Sequence, residues 1–135
     1  MSGKKTLVLV DGSSLAFRSF YGLFNSGLRT AQGKPTWAVY GFFNSLFDLI
    51  EKYTPHALAI CFDLAGPTFR HSEYEDYKAH RQEMPDDLQV QWPVIKEGIE
   101  VLGVPIFELE GFEADDLIGT IAKAAERHGI KVQIL

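Results

Sequence analysis

A chain of 135 residues is long enough for one domain with a real core. Apolar residues at 46% and charged residues at 23% exclude a disordered chain, and no apolar run approaches the ~20 residues of a membrane helix. The formal net charge of −5 argues, taken alone, against a nucleic-acid binder.

Met1–Lys5 leads straight into a strand-like run, too short for a signal peptide and without a small-residue cleavage site. Thr6–Val10 is continuously apolar, the pattern of a strand buried on both faces of a parallel sheet. Asp11 then stands at the strand's carboxyl end, the edge where open α/β sheets bind ligands. Ser13 and Ser14 are suited to cap a short helix with Leu15, Ala16, Phe17, Phe20 and Tyr21, in which Arg18 is embedded. Residues 25–35 read as a loop. A second helix is predicted from Thr36 to about Tyr53, with Val39, Phe42, Phe43, Leu46, Phe47 and Ile50 as its apolar side and Pro55 as its stop. Its rings read as core rather than as platforms for bases.

Ala57–Phe62 is a second buried strand, and Asp63 follows it directly. Cys61, within it, is the single cysteine. That excludes an intrachain disulfide and a cysteine-bound zinc, and fits a reducing cytoplasm. Residues 64–87 change character. Phe69-Arg70-His71, Tyr74, Tyr77-Lys78 and His80-Arg81 mix cations with rings, interrupted by Glu73, Glu75 and Asp76. A solvated excursion accounts for such a stretch, and so does a surface for a nucleic-acid strand. Pro85-Asp86-Asp87 looks like a helix start, with Leu88, Ile95, Ile99 and Leu102 facing the core and Gly103 as the end. Pro93 predicts either a kink or a regular part that begins at Trp92-Pro93. Gly103–Leu109 reads as a third strand, residues 114–128 as a helix stopped by Gly129, and Lys131–Leu135 as a fourth strand.

The stretch Gly111-Phe112-Glu113-Ala114-Asp115-Asp116 opens that last helix. Acidic residues in a first turn are ordinary, because the helix dipole and orphan N–H groups favour them. Yet Glu113 and Asp116 share a face and Asp115 lies beside them, which suits a hard cation such as Mg2+ or Mn2+. With Asp11 and Asp63 at two strand ends, these acids form a constellation. The element order predicts an α/β fold with a mostly parallel sheet and right-handed crossovers. No dinucleotide fingerprint or Walker A loop is present. An aspartyl phosphatase wants a second aspartate two positions after Asp11, where this chain has Ser13.

Val10-Asp11-Gly12, Leu15-Ala16-Phe17-Arg18, Phe62-Asp63, Phe69-Arg70, Tyr77-Lys78 with Arg81, and Gly111–Asp116 together resemble the N-terminal 5'-3' exonuclease (flap endonuclease) domain of bacterial DNA polymerase I. The resemblance covers essentially all of the chain. It implies a PIN-like, three-layer α/β fold with a mostly parallel central sheet. It implies that Asp11, Asp63, Glu113, Asp115 and Asp116 are metal-site carboxylates for Mg2+ (or Mn2+), two ions in the complete domain. Arg18, Arg70, Lys78 and Arg81 would meet the scissile or neighbouring phosphates, with Arg18, Lys78 and Arg81 in the catalytic role. Tyr77 would join them in binding DNA, with an arch or arm near residues 70–87 admitting a single-stranded 5' end. The family carries two further aspartates and a helix-hairpin-helix element after the strand that begins at Lys131, and both are absent here. The resemblance therefore implies a fragment of a longer nuclease, fused to a DNA polymerase in its parent, cytoplasmic and nucleoid-associated, and weak or inactive by itself.

The implied activity is hydrolysis of DNA phosphodiester bonds at 5' ends and 5' flaps, in primer removal and repair. Setting the five carboxylates aside takes the net charge from −5 to 0, because −5 + 5 = 0. Bound cations would thus remove the objection raised by the total charge. Two alternatives fit the sequence as well, a PIN-like ribonuclease and a metal- or DNA-binding fragment without turnover. The long arm of Phe69–Arg81 speaks against the small ribonucleases.

Overall fold

The computed structural model describes residues 5–63 and 84–135. Four strands are present among them: β1 (Thr6–Asp11), β2 (Ala57–Cys61), β3 (Ile106–Phe107) and β4 (Lys131–Ile134). The four helices are α1 (Gly12–Gly22), α2 (Trp37–Tyr53), α3 (Asp86–Val101) and α4 (Ala114–Arg127). By contacts the chain divides into two compact units. One holds the four strands, α4 and the first residues of α1, and the other holds the rest of α1 with α2 and α3.

In the sheet unit the strand order is β3-β2-β1-β4, and every pairing is parallel. The expected parallel α/β sheet is therefore what forms. β1 is central, and Val8, Leu9 and Val10 are at most 1% exposed, which explains its unbroken apolar run. Side chains alternate along a strand. Leu7 and Leu9 of β1, and Ala59 and Cys61 of β2, pack with Ala114, Ile118 and Ala122 of α4. α4 ends at a Schellman motif: Gly129 has φ 75°, its N–H donates to Glu126 and that of Ile130 to Ala125, both at 3.0 Å. Gly129 is the stop read from the sequence. The third strand is shorter than expected, since only Ile106–Phe107 of residues 103–109 pair with β2. Pro105 lacks an N–H for a ladder, and Glu108–Glu110 are exposed.

In the helical unit, α2 buries Trp37, Ala38, Gly41, Phe42 and Leu46. Phe47, expected in the core, is 50% exposed, because the buried stripe turns toward Trp37 and Gly41. Similarly Leu102 lies past the end of α3 and is 46% exposed, while Leu88, Ile95 and Ile99 are buried as expected. Pro93 does not begin the helix; α3 runs through it from Asp86 to Val101. The proline sits on the exposed side, and Gln89, whose carbonyl loses its helix partner, is exposed too and lies on the solvent side.

Thr36 precedes α2 but makes no side-chain cap. The cap comes from α3. Gln91, 0% exposed, accepts the Ala38 and Val39 N–H groups on Oε1 at 2.6 and 3.2 Å, and donates from Nε2 to the Asp87 carbonyl at 3.1 Å. Gln91→Leu keeps the volume but orphans two N–H groups of a helix start. Urea unfolding should show a loss of about 2–4 kcal/mol, whereas exposed Gln89→Leu should change stability little.

Candidate metal centre at the sheet edge

β1 and β2 run parallel with Asp11 opposite Cys61, so Asp11 and Asp63 emerge at the same carboxyl edge. Alternation puts Asp11 on the face of Leu7 and Leu9, the face that α4 covers. Asp63 is half-buried and reaches α4 directly: its Oδ1 accepts the Ala114 N–H at 2.7 Å. A strand-end carboxylate thus satisfies one of the orphan donors at the start of α4, where the helix dipole also favours negative charge.

The acidic turn folds back on itself. Asp116 Oδ2 accepts the Glu113 N–H at 2.9 Å, the return arm of a capping box with Glu113 as the N-cap. Glu113 is 4% exposed, Asp116 is half-buried, and Asp115 is exposed. The three acids therefore differ in environment although they are adjacent in sequence. The ordinary capping role weighed from the sequence is met by Glu113 and Asp116, and it leaves room for a second role.

The sequence suits Ser13 to a helix cap. The residue instead lies within the first turn of α1, and its Oγ accepts the Asp63 N–H at 2.8 Å. Sequence reasoning missed this role; the one available signal was a small hydroxyl residue two positions after a strand-end aspartate. Gly12 is required by space. A Cβ there would stand 2.6 Å from Ile60 Cγ2 and 2.7 Å from Phe62 Cζ.

Arg18 is exposed on α1, in the helical unit. Arg70, Tyr77, Lys78 and Arg81 lie outside the described residues, as does the expected arm up to Glu83. Its last positions, Asp86 and Asp87, belong to α3. Among the described residues no three His, Cys, Asp or Glu side chains close into a ready cage for a metal ion. What the edge offers is an open set of carboxylate oxygens, the donor chemistry of Mg2+ and Mn2+.

Burial, and secondarily the negative Asp11, push the Cys61 thiol from its ordinary 9.0 up to about 11. That change leaves roughly 100-fold less thiolate at neutral pH. Alkylation of Cys61 by a maleimide at pH 7.5 should be slow in the folded chain and fast in urea. Asp116→Ala removes the capping arm, and thermal unfolding should report a loss of about 1 kcal/mol. Asp115→Ala, at an exposed position, should lose much less.

Residues 6–135 match the family model described as the 5'-3' exonuclease, N-terminal resolvase-like domain. The chain is 47% identical over 130 residues to a 5'-3' exonuclease of Aquifex aeolicus, covering 96% of this chain and 44% of that protein. It is 46% identical over 129 residues to a DNA polymerase I of Chloroflexus aurantiacus, covering 96% of this chain and 14% of that one. This chain thus spans less than half the length of either relative. Among solved structures, the T5 5'-exonuclease with divalent zinc ions bound superposes with a TM-score of 0.63 at 24% identity, over 96% of this chain and 48% of that one. That likeness speaks to the fold. No helix among the described residues is long and apolar enough to cross a membrane.

Proposed function

Because the chain belongs to the family of 5'-3' exonuclease N-terminal, resolvase-like domains, we propose that it carries the carboxylate edge of a divalent-metal-dependent nuclease acting on the 5' ends and 5' flaps of DNA. The observation that carries the reading is the juxtaposition of two strand ends and one helix start. Asp11 and Asp63 share a sheet edge, and Asp63 is hydrogen-bonded to the turn that bears Glu113, Asp115 and Asp116. The setting of this reading is replication and repair in the bacterial cytoplasm, at the nucleoid, and several relatives are DNA polymerase I proteins.

The residues fit a hard cation. Asp11, Asp63, Glu113, Asp115 and Asp116 supply oxygen donors only, and an open edge suits Mg2+, which keeps several of its waters. Bound there, such ions supply an acidified water and charge neutralisation at the leaving oxygen. The chain's own part is to place negative charge on rigid elements. β1 and β2 set two carboxylates by register, and α4 sets three by its first turn. Arg18, Lys78 and Arg81 are assigned to the substrate phosphate, where positive charge aimed at the developing negative charge lowers the barrier. Arg70 and Tyr77 are assigned to the single strand, by ion pairing and stacking.

A second reading is a chain that holds a cation and DNA without turnover of its own. Cleavage of 5'-flap DNA, blunt duplex and single-stranded RNA across a Mg2+ and Mn2+ titration separates the readings. The nuclease reading expects metal-dependent flap cleavage by a protein that extends this sequence to the length of its relatives, and the reading without turnover expects none. Preference for the RNA would reject it in favour of a ribonuclease. In that longer protein Asp11→Ala should lower single-turnover cleavage by about 100-fold or more with the fold retained. Near-normal cleavage by Asp11→Ala would reject the metal-edge mechanism.

A further inference from the structure

The turn from β1 into α1 follows the end of β2 residue by residue. Asp11 pairs with Cys61 across the ladder. Gly12 lies against Ile60 and Phe62 at a distance that leaves no space for a side chain. Ser13, 4% exposed, holds the Asp63 N–H at 2.8 Å. Asp63 is therefore anchored twice, at its backbone by Ser13 and at its carboxylate by Ala114.

We propose that Ser13 is a positioning residue for the metal edge. By fixing the backbone of Asp63 it turns Oδ1 to the first turn of α4 and presents the second carboxylate oxygen to a divalent cation. The two strand ends and the acidic helix start are then set by one chain of hydrogen bonds, Ser13 to Asp63 to Ala114. The inference rests on the metal reading above. Asp63 lies two residues beyond the last residue of β2 and one beyond the bond from the Phe62 N–H to the Phe107 carbonyl at 2.9 Å, so its orientation needs a restraint of its own. Sites of this kind tolerate displacements of only about 0.5 Å. Losing a group that orients a metal ligand typically weakens metal affinity by about 10–100-fold. A Ser13 that merely satisfied a buried amide would affect stability and leave metal affinity alone.

The test measures Mn2+ affinity by electron paramagnetic resonance, and amide hydrogen exchange at Asp63 and Ala114, in this chain and three variants. Ser13→Ala should weaken Mn2+ binding by about tenfold and speed exchange at both amides, and Ser13→Thr, which keeps the hydroxyl, should restore both. Asp63→Asn keeps an oxygen for Ala114, so it should retain the Ala114 protection while losing Mn2+ affinity. Unchanged Mn2+ affinity in Ser13→Ala overturns the proposal, as does unchanged protection of Ala114. Wild-type Mn2+ affinity in Asp63→Asn overturns it too. If Ser13→Ala does not fold, Ser13→Thr and Asp63→Asn decide, and Thr with weakened Mn2+ binding but intact Asp63 and Ala114 protection counts against the proposal. A wild-type chain that binds no Mn2+ sinks the metal reading itself; amide exchange then shows separately whether Ser13 restrains Asp63.

Discussion

The bond from the Ala114 N–H to Asp63 Oδ1, 2.7 Å long, is the contact on which the arrangement of the acidic edge depends. It joins a strand end to a helix start that is 51 residues away in the chain. The first turn of any helix presents N–H groups without intrahelical partners, and carboxylates are the natural partners for them. Here that ordinary demand draws Asp63 onto α4, and Asp116 is drawn onto the backbone of Glu113 by the same demand. Helix-capping physics gathers the acids, and gathering them creates a concentration of negative charge. Glu113 adds to it from a position only 4% exposed. Carboxylates gathered this closely make the edge electrostatically suited to positive charge.

The sheet makes this possible by its register. Parallel pairing of β1 with β2 sends both strand ends the same way, and the two-residue period then decides the face. Leu7, Leu9, Ala59 and Cys61 take the face under α4, with Asp11 continuing their series. A slip of one residue would turn Asp11 toward the opposite face and bring Val8 and Val10 under the helix. Because both faces of β1 are apolar, hydrophobic patterning alone pins this register weakly. Gly12 adds specificity: its lack of a side chain fits one place only, between Ile60 and Phe62.

The sequence was most legible where one physical requirement dominates. Thr6–Val10 and Ala57–Phe62 are apolar runs of strand length bounded by turn residues, and Gly129 stops α4 because it takes a φ of 75° at little cost. Asp11 and Asp63 could be placed on one edge from strand direction alone. Legibility failed where a distant partner decides the outcome. Ser13 has the composition of a helix cap, yet its hydroxyl serves an amide 50 residues on. Phe47 fits an apolar stripe, but the buried side of α2 is set by Trp37 and Gly41. Pro93 looks like a helix boundary, and it is tolerated on the exposed side of α3. Nothing local distinguishes Gln91 from the polar residues around it.

Gln91 also has a consequence for the order in which the chain takes shape. It caps Ala38 from 53 residues downstream. During synthesis at about 5–20 residues per second, that glutamine is added roughly 3–10 s after the turn it completes. Once Tyr53 has been added, α2 has its full sequence, but its leading amides are still without Gln91. Helix ends that lack their caps fray, so the front of α2 is completed only when α3 brings Gln91 to it. The helical unit is thus closed by its last helix, and a pause in translation between Tyr53 and Asp86 would prolong the state in which α2 is exposed.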